Sequence, residues 1–101
     1  MTFENPHITD PREYLQYLLK VHIDYAASDF YFTFNEEPSL RVHDEVYRLV
    51  GLDKFSDEML TNIAELLMDE TDKALLKENL SVDIGYIAHN RRFRINISQQ
   101  S

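Results

Sequence analysis

Phe30, Phe32 and Phe34 alternate with Tyr31 and Thr33. That period of two belongs to a strand burying one face, and it places three of the chain's six phenylalanines on that face. The helices of the domain must cover it. Upstream, Leu15, Leu18, Leu19, His22 and Ala26 recur at helical spacing, flanked by Tyr14, Val21 and Tyr25. Asp10 is placed to cap that helix, Pro11 suits its first position, and Glu13 sits where a carboxylate reaches back. His22 lies on or near the apolar stripe without a second ligand four residues away, which reads as a packed, hydrogen-bonded histidine.

Downstream of the phenylalanine strand, Asn35-Glu36-Glu37-Pro38 reads as a turn in which Asn35 takes a left-handed conformation. Leu40 and Val42 begin a second strand, His43-Asp44-Glu45 breaks it, and Val46 to Val50 is its hairpin mate. Residues 51–55 read as a loop. Ser56 caps a second helix with the stripe Leu60, Ile63, Ala64 and Leu67, and Asp57 and Glu58 face the positive end of its dipole. Asp69, with Asp72 three residues on, opens a third helix running to about Asn79. Val82, Ile84 and Tyr86 mark a fourth strand, and Ala88-His89-Asn90-Arg91 a turn. The last strand points Phe93, Ile95 and Ile97 one way and Arg92, Arg94 and Asn96 the other. The order α-β-β-β-α-α-β-β predicts an α/β domain of the α+β type. Three helices on one face of a mainly antiparallel, five-stranded sheet is the simplest layered solution. Residues 1–9, aperiodic and containing Pro6, form an irregular arm ahead of a single domain over residues 10–101.

Composition narrows the function classes. Eighteen acidic against ten basic residues give a net charge of −8, a field that repels a phosphate backbone and argues against nucleic acid as a partner. The absence of cysteine rules out disulfides and thiolate metal sites, and no apolar run approaches the ~18 residues of a membrane span. The expectation is a soluble, cytoplasmic protein. The four histidines lack metal-ligand spacing, and Asp69-Glu70-Thr71-Asp72 lacks the glycine and distal glutamate of a calcium loop. With only Gly51 and Gly85, the chain holds neither a phosphate-binding loop nor a dinucleotide fingerprint. No serine stands in a nucleophile elbow, so an enzyme in its own right is not expected.

The chemistry left is on the last strand. Arg92 and Arg94, at i and i+2, project the same way with the spacing to hold two oxygens of one phosphate. The same spacing suits a solvated face whose arginines pair across the hairpin with Asp83 or nearby acids.

Four ordered pieces carry a resemblance: Ala27-Ser28-Asp29; Pro38 with Arg41-Val42; Glu78-Asn79 with Asp83; and Arg92-Phe93-Arg94-Ile95-Asn96 with Gln100. From about Tyr14 to Gln100 the chain resembles the N-terminal domain of the type IV pilus retraction ATPases, the PilT/PilU twitching-motility family of bacterial secretion ATPases. Ala26, Asn35 and Asp44 stand where that family has glycine. Tyr31 stands for a histidine, Glu37 for a proline and Ser98 for an aromatic. The resemblance implies a PAS-like domain without catalysis of its own. In that family such a domain precedes a C-terminal RecA-like motor domain in a homohexameric ring and packs on the neighbouring subunit's motor domain, and the resemblance implies the same here. ATP with Mg is expected in the parent motor and no cofactor in this domain, with Arg94 as first and Arg92 as second candidate for contact with the phosphates. It further implies action at the periphery of the inner membrane, with the pilus platform there as a further partner. Ser101 falls where the linker to the motor would begin, which implies an excised domain or a truncated relative, and for the isolated domain a monomer or weak dimer. The alternative is a stand-alone PAS-like ligand-sensing or protein-adaptor module.

Overall fold

The computed structural model of the chain describes residues 1–99; Gln100, the last residue of the resemblance, lies outside them. Helices α1 (Pro11–Asp24), α2 (Asp57–Leu67) and α3 (Glu70–Asn79) and strands β1 (Asp29–Thr33), β2 (Ser39–Val42), β3 (Glu45–Arg48), β4 (Ser81–Ala88) and β5 (Arg91–Ser98) follow the expected order. The sheet runs β3-β2-β1-β5-β4. Every neighbouring pair is antiparallel except β1 and β5, which run parallel with Phe30 beside Ile95 and Phe32 beside Ile97. The first and last strands thus meet at the centre of a mixed sheet.

Each helix begins as its sequence dictates. Asp10 Oδ2 accepts from the Glu13 amide at 3.0 Å, and Ser56 Oγ from the Met59 amide at 3.0 Å. Asp69 and Asp72 exchange side-chain-to-amide bonds of 2.8 and 3.2 Å, a reciprocal capping box. All three helices cover one face. Leu15, Leu18 and Leu19 of α1, Leu60 and Ile63 of α2 and Leu76 of α3 share one core with Phe30, Phe32, Leu40, Ile84, Phe93, Ile95 and Ile97 of the sheet. The opposite face carries no helix, and there the polar side chains of the strands lie open.

Three expectations shift. Phe34 lies beyond β1 and is only half-buried, its amide bonded to the Ser98 carbonyl as the chain enters the turn. Helix α1 ends at Asp24, two residues before the end of its apolar stripe, because Ala26 takes a left-handed φ of 52°. Finally, β3 stops at Arg48, and the aperiodic stretch after it supplies Leu49, Leu52 and Phe55 to the core. Gly51, at φ 107°, is pressed against the Phe3 carbonyl, where a Cβ would lie 2.0 Å from the oxygen; the N-terminal arm occupies that space.

Candidate functional site on the open sheet face

Ser28, Asp29, Tyr31, Asp83, Gly85, Arg92, Arg94 and Asn96 line a recess of about 440 Å³ on the uncovered face. The strand order assembles it. Because β1 lies between β2 and β5, Asp29 has an arginine on either side: Arg94 Nε at 3.4 Å from Oδ1 and Arg41 Nε at 3.9 Å from Oδ2. Ser28 Oγ donates to Oδ2 at 2.8 Å. The Asp29 side chain is 15% exposed and that of Arg94 75%. The carboxylate is therefore nearly buried, while the Arg94 side chain that contacts it through Nε is mostly exposed. Arg41 Nε also donates to the Tyr31 hydroxyl at 3.0 Å, which together with the Asp29 charge holds this guanidinium more firmly protonated.

The sequence placed Arg92 and Arg94 on one face, and both line the recess. The acids do not pair as the hairpin suggested. Asp83 Oδ1 accepts from Asn96 Nδ2 at 3.0 Å, and Arg94 turns instead to Asp29 on the parallel neighbour. Among the described residues Arg92 has no acid within ion-pair distance. Its guanidinium lies over Gly85, where a Cβ would sit 2.8 Å from Nη2. Asp29, Arg41 and Gly85 are site residues that spacing along the chain did not single out. For Gly85, a lone glycine in a strand is itself the signal of a close approach.

A larger recess, about 550 Å³, opens between the N-terminal arm and the starts of α1 and α2, with Ile8, Tyr14, Phe55 and Met59 among its lining. Burial, then the Asp53 charge, pushes the Tyr14 hydroxyl well above the usual tyrosine range, so it stays a neutral donor. This recess holds none of the arginines. Its lining mixes apolar side chains with Asn5, Asp53, Lys54, Glu58 and Asn62, whereas the smaller one brings two arginines together. Among the described residues no cluster of His, Cys, Asp or Glu could hold a metal ion, and no helix is long and apolar enough to cross a membrane.

The face thus offers two arginines on one strand, a third two strands away, and a nearly buried carboxylate in ion-pair contact with two of them. These groups lie on the open face of an α+β scaffold, beside the carboxylates of Asp29 and Asp83. In fold the chain is similar to the ATPase DotB of Legionella pneumophila, with a TM-score of 0.67 and 17% identity over 93% of this chain and 26% of that one. It is also similar to the pilus retraction motor PilT, solved with bound ADP, with a TM-score of 0.59 and 28% identity over 78% of this chain and 23% of that one. The chain spans about a quarter of each. No family model and no curated protein sequence matches it. Both likenesses are of fold, each to about a quarter of a longer chain.

Proposed function

We propose that this chain is a non-catalytic regulatory and assembly domain, PAS-like in kind, of a type IV pilus retraction or related secretion ATPase. In this reading it packs on its own C-terminal motor domain and on the neighbouring subunit of a hexameric ring, and helps close the site that holds ATP and Mg. Arg94 meets the phosphates first and Arg92 second. The observation that carries the reading is the Asp29–Arg94 contact. A guanidinium fixed through Nε presents its two terminal nitrogens in a fork that fits phosphate oxygens. The surrounding acids do not satisfy it fully, since Asp83 is occupied by Asn96.

In the chain that carries the motor domain, Arg94→Ala is expected to lower ATP turnover about tenfold or more, the scale of removing one charged contact to a transferring phosphoryl group. The domain fold, followed by circular dichroism, should be unchanged. Turnover equal to wild type removes the arginine from this role. Reading the coding frame beyond codon 101 tests the parent assignment, which requires the G-x-x-x-x-G-K-[ST] loop of a motor domain. A ligand-sensing or adaptor module is the second reading, favoured by the 550 Å³ recess beside Tyr14 and Phe55. It requires a compound that fills the recess and raises the melting temperature.

A further inference from the structure

The sheet has two edges, and they differ. Strand β3 is four residues long and carries Glu45 and Arg48, the short, charged form that keeps an edge from pairing. Strand β4 runs for eight residues with Asp83 as its only charge. The turn at its end fixes which way its backbone groups point. His89 and Asn90, both left-handed, form a two-residue hairpin turn, so Ala88 and Arg91 exchange bonds across it and every second pair after them does likewise. Ser81, Asp83, Gly85 and Ile87 are left with their amides and carbonyls directed away from β5. Ile87 is 78% exposed, the most exposed large apolar residue of the described chain.

We propose that β4 pairs antiparallel with β4 of a second copy of this chain, on a two-fold axis through Ile84. In this register Asp83 stands opposite Gly85 of the second copy, and Ser81 opposite Ile87. The outward backbone groups of both strands are then paired. Charge selects the register. The Arg92 guanidinium lies over Gly85, so the residue facing Gly85 also faces that guanidinium, with directly opposed side chains about 5 Å apart. Asp83 retains Oδ2, its Oδ1 being bonded to Asn96, and Arg92 has no acid within ion-pair distance among the described residues. The two-fold axis makes the Asp83–Arg92 pair twice. Moving the axis one residue towards Asp83 sets the two Asp83 carboxylates face to face, and moving it one residue towards Tyr86 does the same to the two Arg92 guanidiniums. The register at Ile84 is the one between them that joins opposite charges. It also brings Leu80, 45% exposed just ahead of β4, beside Ala88 of the second copy. The pairing engages Arg92, so in the dimer that residue is not free for the phosphate contact proposed above; Arg94 stays on its own anchor, and the pairing stands or falls separately from the phosphate contact of Arg94.

Sedimentation velocity of the chain over a concentration series into the millimolar range tests the pairing. Wild type is expected to pass from monomer to dimer. Asp83→Arg and Arg92→Asp, both at exposed positions, should each weaken the dimer at least tenfold by setting like charges opposite one another. The double exchange of the two charges should restore it to within a few-fold of wild type. Circular dichroism confirms that each variant is folded. A wild-type chain monomeric throughout the series, a dimer unaffected by either single reversal, or a double exchange that fails to restore association overturns the proposal.

Discussion

Acidifying the solution from about pH 7.5 to about pH 5 should destabilise this domain through one side chain, His22. The ring is 7% exposed in the last turn of α1, wedged between Phe30 at 4.8 Å and Phe93 at 4.9 Å, and its Nε2 is buried without a hydrogen-bond partner among the described residues. Two fields act on its charge in opposite directions. The helix C-terminus favours a cation by up to ~1 kcal/mol at an ordinary site. Burial without a partner for the second N–H opposes it by several kcal/mol, and burial wins. The pKa of His22 is accordingly lowered, chiefly by desolvation, with Asp29 offsetting part of the shift and Arg91 adding to it.

The sign follows from proton uptake. Unfolded, the imidazole titrates near ~6.5; folded, it stays neutral to lower pH. The unfolded chain therefore binds more protons in that window. Stability is complete above about pH 6.5 and is lost as pH falls below it, until the folded ring protonates too. One proton sets the slope at no more than ~1.4 kcal/mol per pH unit, a large share of the ~5–15 kcal/mol total of a small domain. Urea unfolding at stepped pH, kept above the carboxylate range near ~4, measures it. His22→Leu fills the slot with an apolar side chain and no nitrogen to satisfy. It is expected to be more stable than wild type and to lose one proton's worth of slope. The same slope in wild type and His22→Leu would refute the reasoning.

Two further outcomes are expected. Asp29→Ala should cost about 1 kcal/mol in urea unfolding, because its ion pairs are long and reach exposed arginines, leaving the Ser28 bond as the main loss; a loss above ~3 kcal/mol would mean that the carboxylate is a core element instead. Ala26→Gly, at an exposed residue with φ 52°, relieves ~1 kcal/mol of left-handed strain against a smaller cost in chain entropy, so calorimetry should find a slightly raised melting temperature and a lowered one counts against the strain.

Local physics made the elements legible. Alternation in Phe30 to Thr33 and Arg92 to Ile97 and the caps at Asp10, Ser56 and Asp69 act within a few residues, and their sequence reading survives in the fold, while Phe34 falls past the strand end. Of the three positions where the ATPases this chain resembles have glycine, Asn35 was legible as left-handed and has φ 66°; Asp44, at 65°, agrees with a residue that tolerates such a turn, whereas Ala26, at 52°, was read as part of the helical stripe. What pattern alone could not carry was anything set by distant pairing. Leu49, Leu52 and Phe55 follow no period because a loop folded over the sheet end, rather than a helix or strand, delivers them to the core. His22 was legible as packed, but its missing hydrogen bond depends on Phe30 and Phe93, which arrive from two strands.

The site divides along the same line. Arg92 and Arg94 share a face because the strand period requires it, whatever the sheet. What Arg94 does on that face depends on which strand lies next to β5. Had β5 been an edge, Arg94 could have turned only towards β4, whose one carboxylate is already bonded to Asn96. The parallel pairing with β1 brings Asp29 beside it instead, and the antiparallel pairing of β1 with β2 brings Arg41 to the other oxygen of the same carboxylate. One nearly buried acid thus lies between two arginines that are 53 residues apart in sequence (94 − 41). Replacing Asp29 should therefore disturb the presentation of both arginines at once, while replacing Asp83 should leave them in place. The central position of β1, and not the arginine motif alone, places Asp29 between these two arginines.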